Sequence, residues 1–141
     1  MRAVGLYQHL PIEKPDSLVD LELPKPEPAG RDLLVRVEAV SVNPVDTKVR
    51  ASGKPRTTPF VLGWDAAGVV ESVGPTASLF KPGDHVFYAG DITRPGSNSQ
   101  YQTVDERIVG HWPRSLTVEE AAALPLVSIT AYEGLFDRLR I

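Results

Sequence analysis

Four side chains in one stretch of this sequence have the types and spacing to do chemistry together. Asn43 and Asp46 stand three positions apart, and Trp64 and Asp65 are adjacent. An amide donates and accepts at once, a carboxylate accepts or holds a proton, and an indole offers an apolar face with one N–H. All four lie beside apolar runs that read as buried strand. Polar groups at the mouth of a core are costly unless paired, so the stretch is either a satisfied structural network or a site. Each residue also has a plain structural reading. Asp65 can order the fold by accepting backbone or arginine hydrogen bonds, Asp46 can cap the turn that follows, Trp64 can be core, and Asn43 is a natural turn residue.

The elements that must position them can be read from periodicity. Residues 33–42 form the best strand, with Val35 and Val37 facing one way and Arg36 and Glu38 the other. After Ala39 the apolar phase passes to Val40 and Val42, which predicts a bulge or bend, since strand period is two. A strand bent there delivers Asn43 and Asp46 to one end of the fold. Residues 44–50 suit a short helical turn and the segment through Pro59 an exposed loop, before a small-residue buried strand at 66–73. Further strands are predicted at 1–6, 18–23, 85–88 and 101–104, with a turn at Lys81-Pro82-Gly83-Asp84. Thr117-Val118-Glu119-Glu120 is a capping box that opens a short helix through Leu124, ended by Pro125. Ser128 is expected to cap a second helix, with Tyr132, Leu135, Phe136 and Leu139 on one stripe.

Composition bounds the rest. Thirteen prolines and 11 glycines spread over 141 residues mean many short elements, which favours an all-β barrel or sandwich over a helical bundle. With 15 basic against 18 acidic residues there is no electrostatic footprint for nucleic acid. Zero cysteines exclude disulfides, thiol nucleophiles and thiolate metal sites, and His9, His85 and His111 lack ligand spacing. No apolar run approaches the roughly 20 residues of a membrane span. A soluble, cytoplasmic protein without nucleic-acid or membrane partners is the expectation.

Gly63-x-x-x-x-Gly68 followed by Val69-Val70-Glu71-Ser72-Val73-Gly74 closely resembles the G-H-E-x-x-G-x-V-x-x-V-G segment of the medium-chain dehydrogenase/reductase superfamily. The segment 43–50 resembles that family's strand-to-helix turn, which reads C-x-x-D in zinc alcohol dehydrogenases. Here Asn43 stands at the cysteine position, Trp64 at the histidine position and Val45 at the position of the proton-relay hydroxyl. An amide oxygen is a poor zinc ligand and an indole is none. The likeness is therefore to the zinc-free quinone oxidoreductase branch, where N-x-x-D-T-x-x-R is the usual form of the turn. The four-cysteine lobe of the zinc enzymes is likewise replaced by the short segment 91–98.

The resemblance implies a mainly β fold with short helices, a GroES-like partly open barrel. It implies a catalytic domain over residues 1–125 and, at 126–141, the start of a helical connection to a dinucleotide-binding Rossmann domain. No G-x-G-x-x-G follows a strand and no βαβ unit can be assembled, so the chain is expected to be a domain fragment, inactive by itself. The implied activity is zinc-independent, NAD(P)H-dependent reduction of quinones or of activated carbonyls and enones, with NADPH favoured over NADH by analogy. Asn43, Asp46 and Trp64 are the implied catalytic residues, and Asn43, Pro44 and Thr130 the implied cofactor contacts, with no metal. Lys48 replaces a common tyrosine and Arg50 keeps the family's arginine. Expected partners are a small-molecule substrate, the Rossmann domain and a second copy in a homodimer. The competing readings are a zinc-containing alcohol dehydrogenase and a non-catalytic GroES-like binding module, since fold does not fix function.

Overall fold

The structure is a computed structural model that describes residues 1–53, 55 and 57–141. Three short strands, β1 (Arg2–Leu6), β2 (Val19–Glu22) and β4 (Phe60–Val61), form one antiparallel sheet in the order β2-β1-β4. Five others form a second: β3 (Asp32–Val40), β5 (Ala66–Val73), β6 (His85–Tyr88), β7 (Tyr101–Asp105) and β8 (Gly110–His111), in the order β7-β3-β5-β6-β8. The sheets do not merge into one closed ladder. An isolated bridge, Ala3 to Ser99, and bonds such as Val4 N–H to the Asn98 carbonyl (2.8 Å) sew them together. The expected mainly β, partly open architecture is what forms.

Within the larger sheet the core is built from Leu33, Val35, Ala66, Val70, Val86, Tyr88 and Val104. Tyr88 is buried, and its hydroxyl donates to Gln102 Oε1 at 2.9 Å while Gln102 Nε2 donates to the Pro95 carbonyl at 3.0 Å. Burial pushes the Tyr88 phenol well above its ordinary pKa. Arg94 grips Asp32 through two hydrogen bonds of 2.9 and 2.7 Å and reaches Thr103 at 3.2 Å. The segment 91–98 is thus fixed by a bidentate ion pair.

β3 departs from its sequence reading in an informative way. Its register against β5 shifts between Val37 and Ala39, one residue earlier than the phase argument placed the bulge, and again between Leu34 and Val35. Opposite the first shift stands Gly68, where a Cβ would lie 2.2 Å from the Arg36 carbonyl oxygen, so only glycine fits this close approach. Val40 and Val42 do not enter the core; both are exposed, Val42 at 74%. Ala39 stays half-buried, so the alternation that begins at Val35 and Val37 continues inward to the strand's end.

The 44–50 turn is a helix, α1 (Pro44–Ala51). Of the segment expected to be an exposed loop, Lys54 and Arg56 lie outside the described residues. Thr117 caps α2 (Val118–Ala122) as expected, its N–H bonded to Glu120 Oε2 at 2.8 Å and its hydroxyl accepting the Glu120 N–H at 3.3 Å. Ala121 and Ala122 pack on Ala67 of β5. Pro125 does more than end that helix: it is the first residue of α3 (Pro125–Tyr132), where its missing N–H costs nothing. Ser128 therefore lies inside α3 and caps nothing. The chain continues into a π-helical segment, Glu133–Leu139, and the expected stripe of Tyr132, Leu135, Phe136 and Leu139 is exposed throughout.

Candidate functional site

The end of β3 and the start of α1 place the first two candidate residues. Asn43 is the N-cap, extended at φ −116° and ψ 163°, with Pro44 presetting the first helical turn. Its backbone N–H donates to Asp46 Oδ2 at 2.7 Å, and the Asp46 N–H returns to the Asn43 carbonyl at 3.0 Å. The Asn43 side chain faces the same Asp46 N–H, completing a capping box in outline without a strict side-chain hydrogen bond. Both residues are buried. Desolvation raises the Asp46 carboxyl above its ordinary pKa, the Asn43 N–H partly offsets this, and the negative charge of Asp65 pushes it up further.

Asp65 joins three segments. It has no exposed surface. Its Oδ2 accepts the Ser41 hydroxyl at 2.9 Å and Asn43 Nδ2 at 2.8 Å, and its Oδ1 accepts the Leu126 backbone N–H at 2.9 Å. Among the described residues no lysine, arginine or histidine pairs with it. The chain leading into it is strapped from behind. Gly63, at φ +99°, accepts the Ser97 N–H at 2.9 Å, and the Ser97 hydroxyl donates to the Asp65 carbonyl at 3.1 Å. A Cβ on Gly63 would sit 2.5 Å from that hydroxyl, so the position needs glycine for both backbone and space.

Trp64 is 4% exposed and forms a buried cluster with Leu6 and Leu62, against which Val45 and Val49 of α1 and Leu126 of α3 pack. Its ring thus serves the core. Its Nε1–H is buried and has no hydrogen-bond partner among the described residues.

The structure therefore brings Asn43, Asp46 and Asp65 into one hydrogen-bonded cluster, with Trp64, next in sequence to Asp65, buried in the adjoining core. Pro44 is exposed at its edge. Thr130 is exposed one turn beyond Leu126, and its hydroxyl donates to the Leu126 carbonyl at 2.9 Å. Lys48 is exposed. Arg50 is partly buried and donates to the Leu10 carbonyl at 2.8 Å, so it clips α1 to the β1–β2 connection. Two members escaped sequence reasoning, the Ser41 hydroxyl and the Leu126 N–H. The lone polar residue between Val40 and Val42 was a usable signal for Ser41; nothing local marks Leu126. A hollow of about 590 Å³ lined by Asp84, His85, His111, Trp112 and Arg114 lies at the far end of β6 from Tyr88, which pairs with Ala66, so it is not part of this cluster.

The donor set does not suit zinc. Asn43 turns its nitrogen, not its oxygen, to the neighbouring carboxylate; an indole N–H is no ligand; and both Asp65 oxygens are engaged by N–H and O–H donors. Among the described residues no three histidine, cysteine or acidic side chains gather as a metal-binding group.

Residues 29–127 match the family model for the alcohol dehydrogenase GroES-like domain. The chain belongs to this family. A zinc-type alcohol dehydrogenase-like protein of Staphylococcus aureus is 47% identical over all 141 residues, which span 42% of that relative. The quinone oxidoreductase of Homo sapiens is 36% identical over 138 residues, 96% of this chain and 40% of its own. Among solved structures, a Rhizobium etli protein described as a candidate zinc-dependent alcohol dehydrogenase superposes with a TM-score of 0.96 at 61% identity, over 99% of this chain and 41% of that one. A mycobacterial protein complexed with NADPH superposes at 0.86 with 30% identity, over 100% of this chain and 42% of that one. The relatives are oxidoreductases of the medium-chain dehydrogenase/reductase superfamily, and this GroES-like domain spans about two fifths of their length. No helix among the described residues is long and apolar enough to cross a membrane.

Proposed function

We propose that this GroES-like domain is the catalytic domain of a zinc-independent, NAD(P)H-dependent oxidoreductase that reduces quinones or activated carbonyls and enones. The carrying observation is the Asn43–Asp65 pair: where a zinc enzyme of the family would hold metal, this chain has an amide locked onto a buried carboxylate. The likeness to a quinone oxidoreductase and to a protein complexed with NADPH supports the same reading. When bound, the dinucleotide supplies the hydride. The chain's own residues position and desolvate. Asn43 offers an amide N–H to the acceptor oxygen or to the nicotinamide carboxamide, Asp46 holds the turn that carries Asn43, and Trp64 forms the apolar floor. Pro44 and Thr130, both exposed, fit as contacts to the nicotinamide, the Thr130 hydroxyl oxygen retaining its capacity to accept. The dinucleotide's pyrophosphate requires a glycine-rich turn and helix N-terminus, and this part of the enzyme is assigned to a Rossmann domain outside residues 1–141, with homodimerisation assigned to the full-length enzyme in the cytoplasm.

The test is NAD(P)H oxidation by the full-length protein against a panel of quinones and enones, with and without chelator. Acceptor-dependent oxidation that chelator leaves unchanged is the expected result. Alcohol oxidation that requires added zinc would replace this reading with a zinc alcohol dehydrogenase, and inertness toward the whole panel would favour a binding module.

A further inference from the structure

An asparagine amide keeps its shape when turned half a revolution about its last bond, but exchanges a donor for an acceptor. The direction it faces decides what a ligand meets. In this chain that direction is set by Asp65. The carboxylate is wholly buried, and the backbone N–H of Leu126, which cannot turn around to accept, engages Oδ1 at 2.9 Å. Oδ2 takes the Ser41 hydroxyl at 2.9 Å and Asn43 Nδ2 at 2.8 Å. A carboxylate has no hydrogen to give, so Asn43 must present its nitrogen; the flipped amide would set two oxygens against each other. The Asn43 carbonyl then falls on the other side of the amide, toward the Asp46 N–H at the start of α1, where an acceptor belongs. Among the described residues, the second amide N–H has no acceptor.

We propose that Asp65 is a positioning residue that locks the Asn43 flip, so that Asn43 offers bound ligands a donor and never its carbonyl. This rests on the function proposed above for the identity of the ligand. The acceptor it suits is a quinone or enone oxygen, or the carboxamide oxygen of the nicotinamide. Asp65 itself is sealed off by its three donors and touches no ligand.

The test begins with Asp65→Asn in the full-length protein. The new amide keeps an oxygen for Leu126 and turns its NH₂ toward Ser41 and Asn43, so Asn43 flips to accept. Turnover with quinone or enone acceptors is expected to fall at least about tenfold, as misplacing a group that orients substrate does. The double variant Asn43→Asp/Asp65→Asn exchanges donor and acceptor across the same bond. It should recover melting temperature over Asp65→Asn while turnover stays low; turnover recovering together with stability would overturn the proposal. A third arm needs no variant to fold and no ligand. In the nuclear magnetic resonance spectrum of the ligand-free wild-type protein, one side-chain NH₂ hydrogen of Asn43 should exchange slowly with solvent. Free exchange of both hydrogens would overturn the proposal. A wild-type protein that reduces no acceptor sinks the proposed function, whereas this third arm reads the lock alone.

Discussion

The carboxylate of Asp65 meets the backbone N–H of Leu126 at 2.9 Å across 61 positions of chain, tying the first turn of α3 to the start of β5. Together with Ser41 and Asn43 this makes three donors converging on one buried anion. Replacing Asp65 by Ala strands all three. At about 1–3 kcal/mol for each buried donor left unmade, the expected loss is at least about 3 kcal/mol. For a domain of this size that corresponds to a fall in melting temperature on the order of 10 °C. Thermal unfolding checks it; a fall of only one or two degrees would mean that water replaces the carboxylate.

Glu106 performs a similar task at the opposite end of β3. It is fully buried, and its Oε2 accepts the N–H groups of Ser78 and Leu79 at 2.8 and 2.7 Å while Arg31 Nη2 lies 2.6 Å from Oε1. Glu106→Gln keeps the volume, but with its oxygen on the two backbone donors it must point an NH₂ at the guanidinium. The expected cost is about 2 kcal/mol, held below the range for fully buried pairs because Arg31 is 39% exposed. Denaturant unfolding with an unchanged slope would measure it, and Arg31→Ala should recover part of the loss in the Gln background.

Asp46 gives the fold a pH dependence whose sign is fixed by its environment. Burial raises its folded pKa above the ordinary 3.8, so the folded state binds the proton more tightly than the unfolded chain. Its contribution to stability is fully present below the unfolded value. It is lost as pH rises from about 3.8 through the raised folded value. Asp46→Asn removes the ionisation and keeps an oxygen for the Asn43 N–H. The variant's stability should therefore change less than the wild type's across that window, and parallel curves would show that Asp46 does not titrate differently on folding.

The sequence carried the sheet strands well because their signals are local. His85–Tyr88 follows a proline-glycine turn, and Ala66–Val73 lies between Gly63 and Gly74, so both can be recognised without knowing the strands they pair with. What failed was global. Val40 and Val42 are apolar and fit a shifted strand phase, yet their surroundings leave them exposed. Pro125 was legible as a break but not as a beginning, because the same ring geometry serves both ends of a helix junction. The two-residue strands Phe60–Val61 and Gly110–His111 are too short for any period. In the candidate site, residue types and spacing pointed to Asn43, Asp46, Trp64 and Asp65. The direction of the Asn43 amide, and the arrival of Leu126, are tertiary facts with no local trace.

The purified full-length protein is expected to carry no stoichiometric zinc at the Asn43–Trp64 position. A metal there would have only the Asn43 carbonyl oxygen, a poor ligand that faces the Asp46 N–H, and an indole, which is none. Elemental analysis reads this directly. One tightly held zinc per chain, removed only by chelator together with the fold, would overturn it.

The indole of Trp64 supplies the last prediction. Its Nε1–H is buried without a partner among the described residues, which costs about 1–3 kcal/mol for a donor taken from water. Trp64→Phe deletes that donor and keeps an aromatic ring in the cluster with Leu6 and Leu62. The smaller ring loses packing, a loss the removed penalty offsets. The net change should stay within about 1 kcal/mol, well under the roughly 3–5 kcal/mol of truncating a core aromatic to Ala. Chemical unfolding of Trp64→Phe beside Trp64→Ala gives the comparison. If the Phe variant loses as much as the Ala variant, the N–H is satisfied in solution by a held water, and the floor of the site is wet where the packing reads as dry.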